Sequence, residues 1–232
     1  MRIVSRKMRV QQLFLLLLIT PFIVVINRVY SQENDFQIWS DMSSKYKINK
    51  KIKLSAEFGL RSRENSQFLK QFYAEIGAKY KVNKRFNTGL KYRFTNYYYH
   101  NKLSSQRFNL DAEYSFKKWN RFRLAIRERL QYEWLVHDKI FYYDEINLRS
   151  RMFFTYNIKK SKLKPFFSFE HYWGLSGQVK GLSTQIRWSV GLNIPVNKWS
   201  DFTASYRIIQ QLNRNNPLTI YAVLVSYKIN LN

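Results

Sequence analysis

The residues of this sequence that are best suited to chemistry are arginines and lysines that recur at every second position. The stretch NRFRLAIRERLQYEW, residues 120–134, shows this most clearly, with Arg121, Arg123, Arg127 and Arg129 at odd positions. Guanidinium groups bind phosphate and carboxylate oxygens. The candidate chemistry is therefore anion recognition, of nucleic acid, of an acidic membrane surface or of small anionic solutes.

Acids share this polar face with the bases, and two interpretations stay open. The side chains could pair with one another and fill the interior of a barrel. They could instead line a narrow, water-filled passage that prefers anions, because rings of arginine and lysine attract them. Besides the arginines of residues 120–134, the candidate lining residues are Lys53, Arg61, Lys79, Lys91, Arg93, Arg107, Arg187, Glu57, Glu75, Asp111 and Glu113.

Catalytic groups are sparse. His100 and His137 fall in predicted loops, while His171 sits in FEHYWGLS near Glu170 and Ser176. A hydrolase needs a serine and a histidine within hydrogen-bond reach, but on one continuous strand His171 and Ser176 would face opposite sides. The sequence also contains no glycine-rich phosphate loop and no spaced set of metal ligands. We therefore predict no catalytic residue, no metal and no cofactor.

Composition excludes several classes of protein. The 232 residues include 40 Lys and Arg against 15 Asp and Glu, a net charge of +25, and no cysteine. Disulfides, thiolate metal sites and a lipidated cysteine anchor are thereby excluded. A hydrophobic fraction of 45% argues against disorder. The chain is long enough for one sizeable domain.

The N-terminus has the order of a secretory signal peptide. A basic segment precedes the apolar run LFLLLLITPFIVVI, residues 13–26, and small residues suited to cleavage follow it. A helix over this run would span about 21 Å, less than the roughly 30 Å of a bilayer core. We predict a cleaved signal peptide over residues 1–31 and one domain over residues 32–232, with an uncleaved anchor as the alternative. Export weakens the nucleic-acid interpretation.

Strict alternation of apolar and polar residues predicts strands. In KIKLSAEFGLR, residues 51–61, every even position is apolar and every odd one is polar or glycine. A helix over residues 120–134 would place Arg129 and Glu133 on its apolar face, so a strand is favoured there too. Alternation is clear in residues 51–61, 71–82, 86–94, 107–116, 121–134 and 182–194, and weaker in residues 36–48, 146–156, 166–173, 202–212 and 219–231.

The connections predict how these eleven segments are arranged. Short basic connections such as Asn49-Lys50-Lys51 and Asn83-Lys84-Arg85 alternate with mostly longer ones such as residues 97–105 and 135–143. Aromatic residues gather near the segment ends. These features are typical of an all-β, single antiparallel up-and-down transmembrane β-barrel. Because such barrels normally have an even number of strands, we predict about 12 strands, with 10 as the alternative.

Four stretches resemble a known family. They are DFQIWSDMSSKYKINKKIKLSAEFGLR, FYAEIGAKYKVNKRFNTGLKYRF, KPFFSFEHYW and the closing YAVLVSYKIN. They resemble the small outer-membrane β-barrel family of Gram-negative bacteria known as domain-of-unknown-function family 2490. The resemblance covers nearly all of the mature chain. It implies the barrel fold and the outer membrane, and no established activity.

The functional prediction is a non-enzymatic integral outer-membrane barrel of a Gram-negative bacterium. Its role would be structural or the passive passage of small solutes, including passage that prefers anions. The alternatives are an outer-membrane barrel enzyme that acts on lipid and a soluble periplasmic carrier. Expected partners are outer-membrane lipid and, during biogenesis, the barrel-assembly machinery. Nucleic acid is not expected, because aromatic and charged residues lie on opposite strand faces and cannot form one groove.

Glu128 is the exception to the alternation in residues 121–134, because it shares the apolar face with Ile126 and Leu130. A carboxylate facing the middle of a bilayer is costly. We predict a bulge at Glu128, a position near the rim, or protonation.

Overall fold

The computed structural model describes residues 33–98, 103–138 and 140–231, without the side chains of residues 142–144. The chain divides into two units, Met1–Gln32 and Glu33–Asn232. The first unit lies outside the described residues, as do His100 and the proposed cleavage site. The signal peptide therefore stays a prediction, and so does the division at residue 31.

The second unit is all β, as predicted. Within the described residues no helix is long and apolar enough to cross a membrane, and the single short 3-10 helix is Gly177–Val179. The strands are β1 (Glu33–Lys47), β2 (Ile52–Arg63), β3 (Phe68–Lys81), β4 (Phe86–Tyr97), β5 (Leu103–Ser115), β6 (Phe122–His137), β7 (Ile140–Tyr156), β8 (Lys164–Gly174), β9 (Ser183–Pro195), β10 (Ser200–Gln211) and β11 (Leu218–Leu231).

The strands close into one barrel whose apolar side chains face outward. Phe58, Ile76, Leu90 and Leu110 are all exposed, Ile76 to 63%, and they occupy the apolar phase of the sequence alternation. Because successive side chains on a strand point to opposite faces, the charged phase must face inward. The soluble-carrier alternative required an apolar interior, and the structure has the reverse.

Aromatic side chains also meet on the outer wall. The rings of Tyr92 and Phe108 lie 5.1 Å apart, and the ring of Trp134 lies 5.7 Å from Phe108 and 5.3 Å from Tyr132. These are cross-strand or same-strand neighbours in the half of the wall toward the β4–β5 connection. Trp134, the member nearest a strand end, has the placement of the aromatic girdle that outer-membrane barrels carry at the edge of their apolar band.

The barrel is closed by a parallel seam between β1 and β11. Every other neighbouring pair is antiparallel and consecutive in sequence. At the seam Phe36 is opposite Tyr221 and Met42 is opposite Tyr227, so both strands run the same way. An odd number of alternating strands puts the first and last strands in the same direction, and a parallel pair is the only way to close such a sheet.

The fold prediction, a single up-and-down barrel of about 12 strands, is confirmed. The closed sheet of the described residues contains eleven strands, the number found segment by segment in the sequence. The barrel is antiparallel at every seam except one. The prediction of an even number assumed that both ends of the sheet lie at the same rim. Instead β1 begins at the rim opposite to the one where β11 ends.

Cysteine cross-linking tests the seam, and the cysteine-free chain makes this direct. Ser40 faces Val225 and Ser44 faces Ile229 in the parallel register. We expect Ser40→Cys with Val225→Cys, and Ser44→Cys with Ile229→Cys, to form disulfides on oxidation, because neighbouring strands place Cα atoms within disulfide range. The control, Ser40→Cys with Ile229→Cys, is about 13 Å out of register and should not react. A cross-linked control would contradict parallel closure.

The two rims differ in their connections. One end of the barrel, which we call the short-turn rim, holds the connections β1–β2, β3–β4, β5–β6, β7–β8 and β9–β10. Asparagine side chains stabilise turns at this rim by accepting backbone hydrogen bonds. Asn49 Oδ1 accepts hydrogen bonds from the backbone of Lys51 and Ile52, and Asn83 Oδ1 repeats this at the next turn. This is the asparagine turn chemistry that the short basic connections imply. We call the opposite end the long-loop rim. The sequence predicts a loop over residues 135–143 at this rim, but β6 and β7 extend through most of these residues.

Glu128 lies on the outer wall within a regular part of the ladder, so the predicted bulge is wrong. The register shift between β6 and β7 falls instead between Leu135 and Val136. Glu128 is six positions into β6, about 20 Å along the strand at ~3.3 Å per residue, so it is not at the rim. Its carboxylate accepts a hydrogen bond of 2.6 Å from the Ser150 hydroxyl on β7. The outward carboxylate is therefore partnered by a neighbouring outward side chain.

Candidate functional site: the polar lumen

The charged side chains meet inside the barrel. Tyr73 on β3 contacts Asp41 on β1 at 2.5 Å, and Arg127 on β6 contacts Glu170 on β8 at 2.7 Å. In each case one strand lies between the two partners. Side chains reach past an intervening strand most readily on the concave side of a curved sheet, so these contacts lie in the lumen.

Most of the predicted lining residues take part in these inward contacts, while Arg121 lies outside the strands, in the β5–β6 connection. Lys53 lines a cavity near the short-turn rim, Arg61 stacks on the ring of Trp39 at 4.1 Å, and Arg123 is exposed near the same rim. The other candidates form ion pairs: Lys79–Glu113, Lys91–Glu75, Arg93–Glu75, Arg93–Glu57, Arg107–Glu133, Arg127–Glu170, Arg129–Asp111 and Arg187–Glu170.

Glu75 is the centre of the first network. Its carboxylate is 3% exposed, and it accepts hydrogen bonds from Lys91 at 2.5 Å and from Arg93 Nε at 2.8 Å. The guanidinium of Arg93 also lies 3.8 Å from the centre of the Tyr73 ring. The buried carboxylate is thus compensated by two cations, as a buried charge requires.

The Tyr73 hydroxyl bridges two acids. It lies 2.5 Å from Asp41 Oδ1 and 2.8 Å from Glu57 Oε1. A phenol has one proton and donates it to one carboxylate only. The single phenol donor therefore lies within hydrogen-bond distance of two acceptors.

Two bidentate pairs extend the network along β5 and β6. Arg107 donates to both oxygens of Glu133, from Nη2 at 2.7 Å and from Nε at 3.0 Å. Arg129 donates to both oxygens of Asp111 at 2.5 and 2.7 Å. Paired N–H donors fix the orientation of a carboxylate as well as its distance. These contacts hold neighbouring strands in register from the inside.

The middle of the lumen is narrowed by buried side chains. Every strand contributes at least one buried inward residue, from apolar Trp39 and Ile209 to charged Arg149. One buried inward residue from each strand, in chain order, is Trp39, Gly59, Tyr73, Thr95, Asn109, Arg129, Arg149, Glu170, Ser189, Ile209 and Ala222.

Toward one end of the lumen, a cavity of about 500 Å³ reaches the short-turn rim. We call it the vestibule. Its charged lining residues are Lys45, Lys51, Lys53, Lys79, Lys81, Lys91, Arg127, Glu57, Asp111 and Glu113. Cations outnumber acids, and Lys45, Lys53 and Lys81 form no ion pair with another described residue. The vestibule is therefore a region of positive potential.

A family comparison matches most of the chain. A model described as "Protein of unknown function (DUF2490)" matches residues 36–219. The chain belongs to this family. The resemblance stated from the four sequence stretches is thereby confirmed, and the matched region runs from β1 into β11. No curated protein matches the chain.

Three solved structures illustrate what this DUF2490 chain is similar to. A bacterial polysaccharide outer membrane secretin gives a TM-score of 0.49 at 14% identity, with 74% of this chain and 72% of that chain covered. The translocator domain of the autotransporter NalP from Neisseria meningitidis gives 0.48 at 10%, with 74% and 71% covered. The KdgM porin in complex with disordered oligogalacturonate gives 0.47 at 13%, with 80% and 93% covered. The likeness is one of fold.

One serine–histidine contact occurs on the outer wall of this DUF2490 barrel. His171 Nε2 lies 2.7 Å from Ser183 Oγ. Ser176, which the sequence analysis considered as a partner of His171, instead accepts a hydrogen bond from the backbone N–H of Ile146 at 2.8 Å. Among the described residues no acid contacts His171 to orient it, and no group of three or more potential metal ligands comes together.

Sequence reasoning missed part of the lumen. Arg149, Arg151 and Arg207 face inward from β7 and β10, where the alternation is weak. An apolar patch also lies inside the barrel, where Trp39 packs with Ile209, Ile220, Ala222 and Leu224. The signal for it is present in β11, where the even positions Leu218, Ile220, Ala222 and Leu224 are apolar as well as most odd ones. A strand apolar on both faces indicates a packed interior at that position.

Proposed function

We propose that this protein is a non-enzymatic, integral outer-membrane barrel of a Gram-negative bacterium. Its role is structural, with passage limited to small solutes and a preference for anions. The observation that carries the proposal is the division between an apolar outer wall and a lumen packed with ion-paired side chains. In hydrocarbon every backbone N–H and C=O needs a partner, and a closed barrel supplies one. Its partners are outer-membrane lipid and, during biogenesis, the barrel-assembly machinery.

The vestibule supports the preference for anions. Its unpaired lysines attract anions from the short-turn rim, while the buried residues in the middle of the lumen restrict what crosses. A wide, water-filled pore would instead leave the mid-lumen residues accessible. Small and infrequent conductance is therefore expected, with chloride favoured over potassium.

Planar-bilayer recordings of the purified protein test this proposal. In a salt gradient, the reversal potential should show anion preference. Lys45→Glu with Lys53→Glu should shift it toward cations, because these changes place two acids in the vestibule. The control, Lys160→Glu with Lys162→Glu, makes the same change in net charge in the β7–β8 turn and should shift the potential less. Cation preference of the unmodified protein would contradict the proposal.

The alternative of a lipid-acting enzyme has one observation in its favour, the contact between His171 and Ser183. A hydrolytic dyad also needs a group that orients the histidine and donors that stabilise the oxyanion. The structure gives His171 no acid within the described residues. Phospholipid hydrolysis by the purified barrel, lost in Ser183→Ala, would overturn the non-enzymatic proposal.

A further inference from the structure

One wall of the lumen carries a surplus of buried positive charge. Five arginines on β6, β7, β9 and β10 surround one carboxylate, that of Glu170 on β8. We call Arg127, Arg149, Arg151, Arg187 and Arg207 the arginine cluster. The opposite wall differs, because there Glu57, Glu75, Asp111 and Glu133 are matched against neighbouring cations.

Glu170 cannot satisfy all five arginines. Its Oε1 is 2.7 Å from Arg127 Nη2 and 3.1 Å from Arg149 Nη2, and its Oε2 is 3.8 Å from Arg187 Nη1. A carboxylate offers about four lone-pair positions, while each guanidinium has five N–H donors. Three arginines therefore already compete for one acid.

The remaining donors have weak or neutral partners. Arg207 Nε donates to Ser189 Oγ at 3.0 Å, and Arg151 Nη2 lies 3.5 Å from Ser168 Oγ, at the outer limit of a hydrogen bond. The Nε atoms of Arg127 and Arg149 are buried without a hydrogen-bond partner in the described structure, and the Arg149 side chain is 9% exposed. Buried donors and uncompensated buried charge are both costly.

The strand register brings these groups to one place. Glu170 is opposite Arg151 on β7 and Arg187 on β9, while Ser189 is opposite Ser168 and Arg207. Two adjacent inward rows thus form a surface of three arginines and two hydroxyls, with Glu170 between Arg151 and Arg187. Hydroxyl groups and the paired N–H groups of guanidinium can donate hydrogen bonds to the oxygens of a tetrahedral anion.

We propose that the arginine cluster binds a small multivalent oxyanion of the phosphate class. Binding would compensate the surplus charge and give the unpartnered donors an acceptor. Arg127 lies both in the cluster and in the lining of the vestibule, so the anion reaches the cluster from the short-turn rim. The site deepens the proposed function, because it gives the anion-attracting lumen a defined binding site. It also rests on the proposed function, because anions must enter the lumen to reach it.

Titration calorimetry with inorganic phosphate tests the site on the full barrel in detergent micelles at constant ionic strength. Phosphate should bind saturably, sulfate should compete, and acetate should bind more weakly. Arg151→Gln and Arg207→Gln should each weaken phosphate binding roughly tenfold to hundredfold, the loss of a charge-assisted hydrogen bond. Glu170→Gln should strengthen binding, because a competing and repelling carboxylate is removed.

Arg85→Gln is the matched control. It removes one positive charge from an exposed position in the β3–β4 turn at the same rim, and it should leave phosphate affinity unchanged. Heat-modifiable gel mobility shows that each variant is folded. Absence of saturable binding in the folded protein, or equal losses in Arg85→Gln and Arg151→Gln, would overturn the site.

The outcomes separate this site from the proposed function. Anion preference in bilayers without saturable phosphate binding removes the site and retains the passage proposal. Saturable phosphate binding with cation preference retains the site and removes the passage proposal.

Discussion

Replacing Glu75 by glutamine is expected to lower the free energy of unfolding by about 3–5 kcal/mol, the usual cost of removing one partner from a buried ion pair. The change leaves Lys91 and Arg93 facing a neutral amide in a buried network. Two cations then lie close together without the charge that compensates them. Urea unfolding of the barrel in lipid vesicles, followed by tryptophan fluorescence, measures the loss.

Glu113→Gln is the matched control. Its carboxylate pairs with Lys79 at 2.9 Å, but the side chains are 30% and 45% exposed. Exposed pairs contribute about 0–1 kcal/mol, so this variant should remain close to the unmodified protein. Equal losses for the two variants would show that the Glu75 network is hydrated and that the middle of the lumen is open to water.

Leu110→Arg is expected to lower stability in a bilayer by about 2–4 kcal/mol, the cost of an arginine on the lipid face at mid-depth. Leu110 is central in β5, faces outward between Leu90 and Leu130, and is 53% exposed. On a protein surface in water the same change would be nearly neutral. The direction of the result therefore reports what surrounds the outer wall. The measurement is again urea unfolding in vesicles.

Val82→Arg provides the comparison for this variant. Val82 is equally apolar and exposed but lies in the β3–β4 turn at the short-turn rim. Near the interface the cost should fall to about 0–1 kcal/mol. If Leu110→Arg is tolerated as well as Val82→Arg, the apolar wall does not lie in hydrocarbon.

The sequence was sufficient to predict most of the wall. Alternation in residues 51–61 placed Glu57 and Arg61 inside and Phe58 outside, because a period of two has only two phases and the apolar one faces out of the barrel. The same argument placed the other lining candidates. Alternation also placed Glu128 correctly on the outer face. It could not predict the hydrogen bond from Ser150 to Glu128, because that contact depends on the β6–β7 register, which alternation does not specify.

What could not be predicted depends on long-range pairing. Alternation gives each strand its faces, but the closure between β1 and β11 depends on the rim at which the first strand begins. The arginine cluster was missed for a similar reason. Arg149, Arg151 and Arg207 lie on segments whose apolar and polar faces are poorly separated, and only the register with β8 and β9 brings them around Glu170.

The parallel seam determines when the barrel can be completed. It joins Glu33 to Leu218 and the residues that follow them, so its contacts have the largest sequence separation in the fold. All other seams join consecutive strands and can form as hairpins. Pairing at high contact order is slow because loop-closure entropy must be overcome first. A chain that ends before β11 would leave β1 and β10 as two unpaired edges, whose backbone groups hydrocarbon cannot satisfy. The last strand therefore decides whether the preceding ten can reside in a membrane at all.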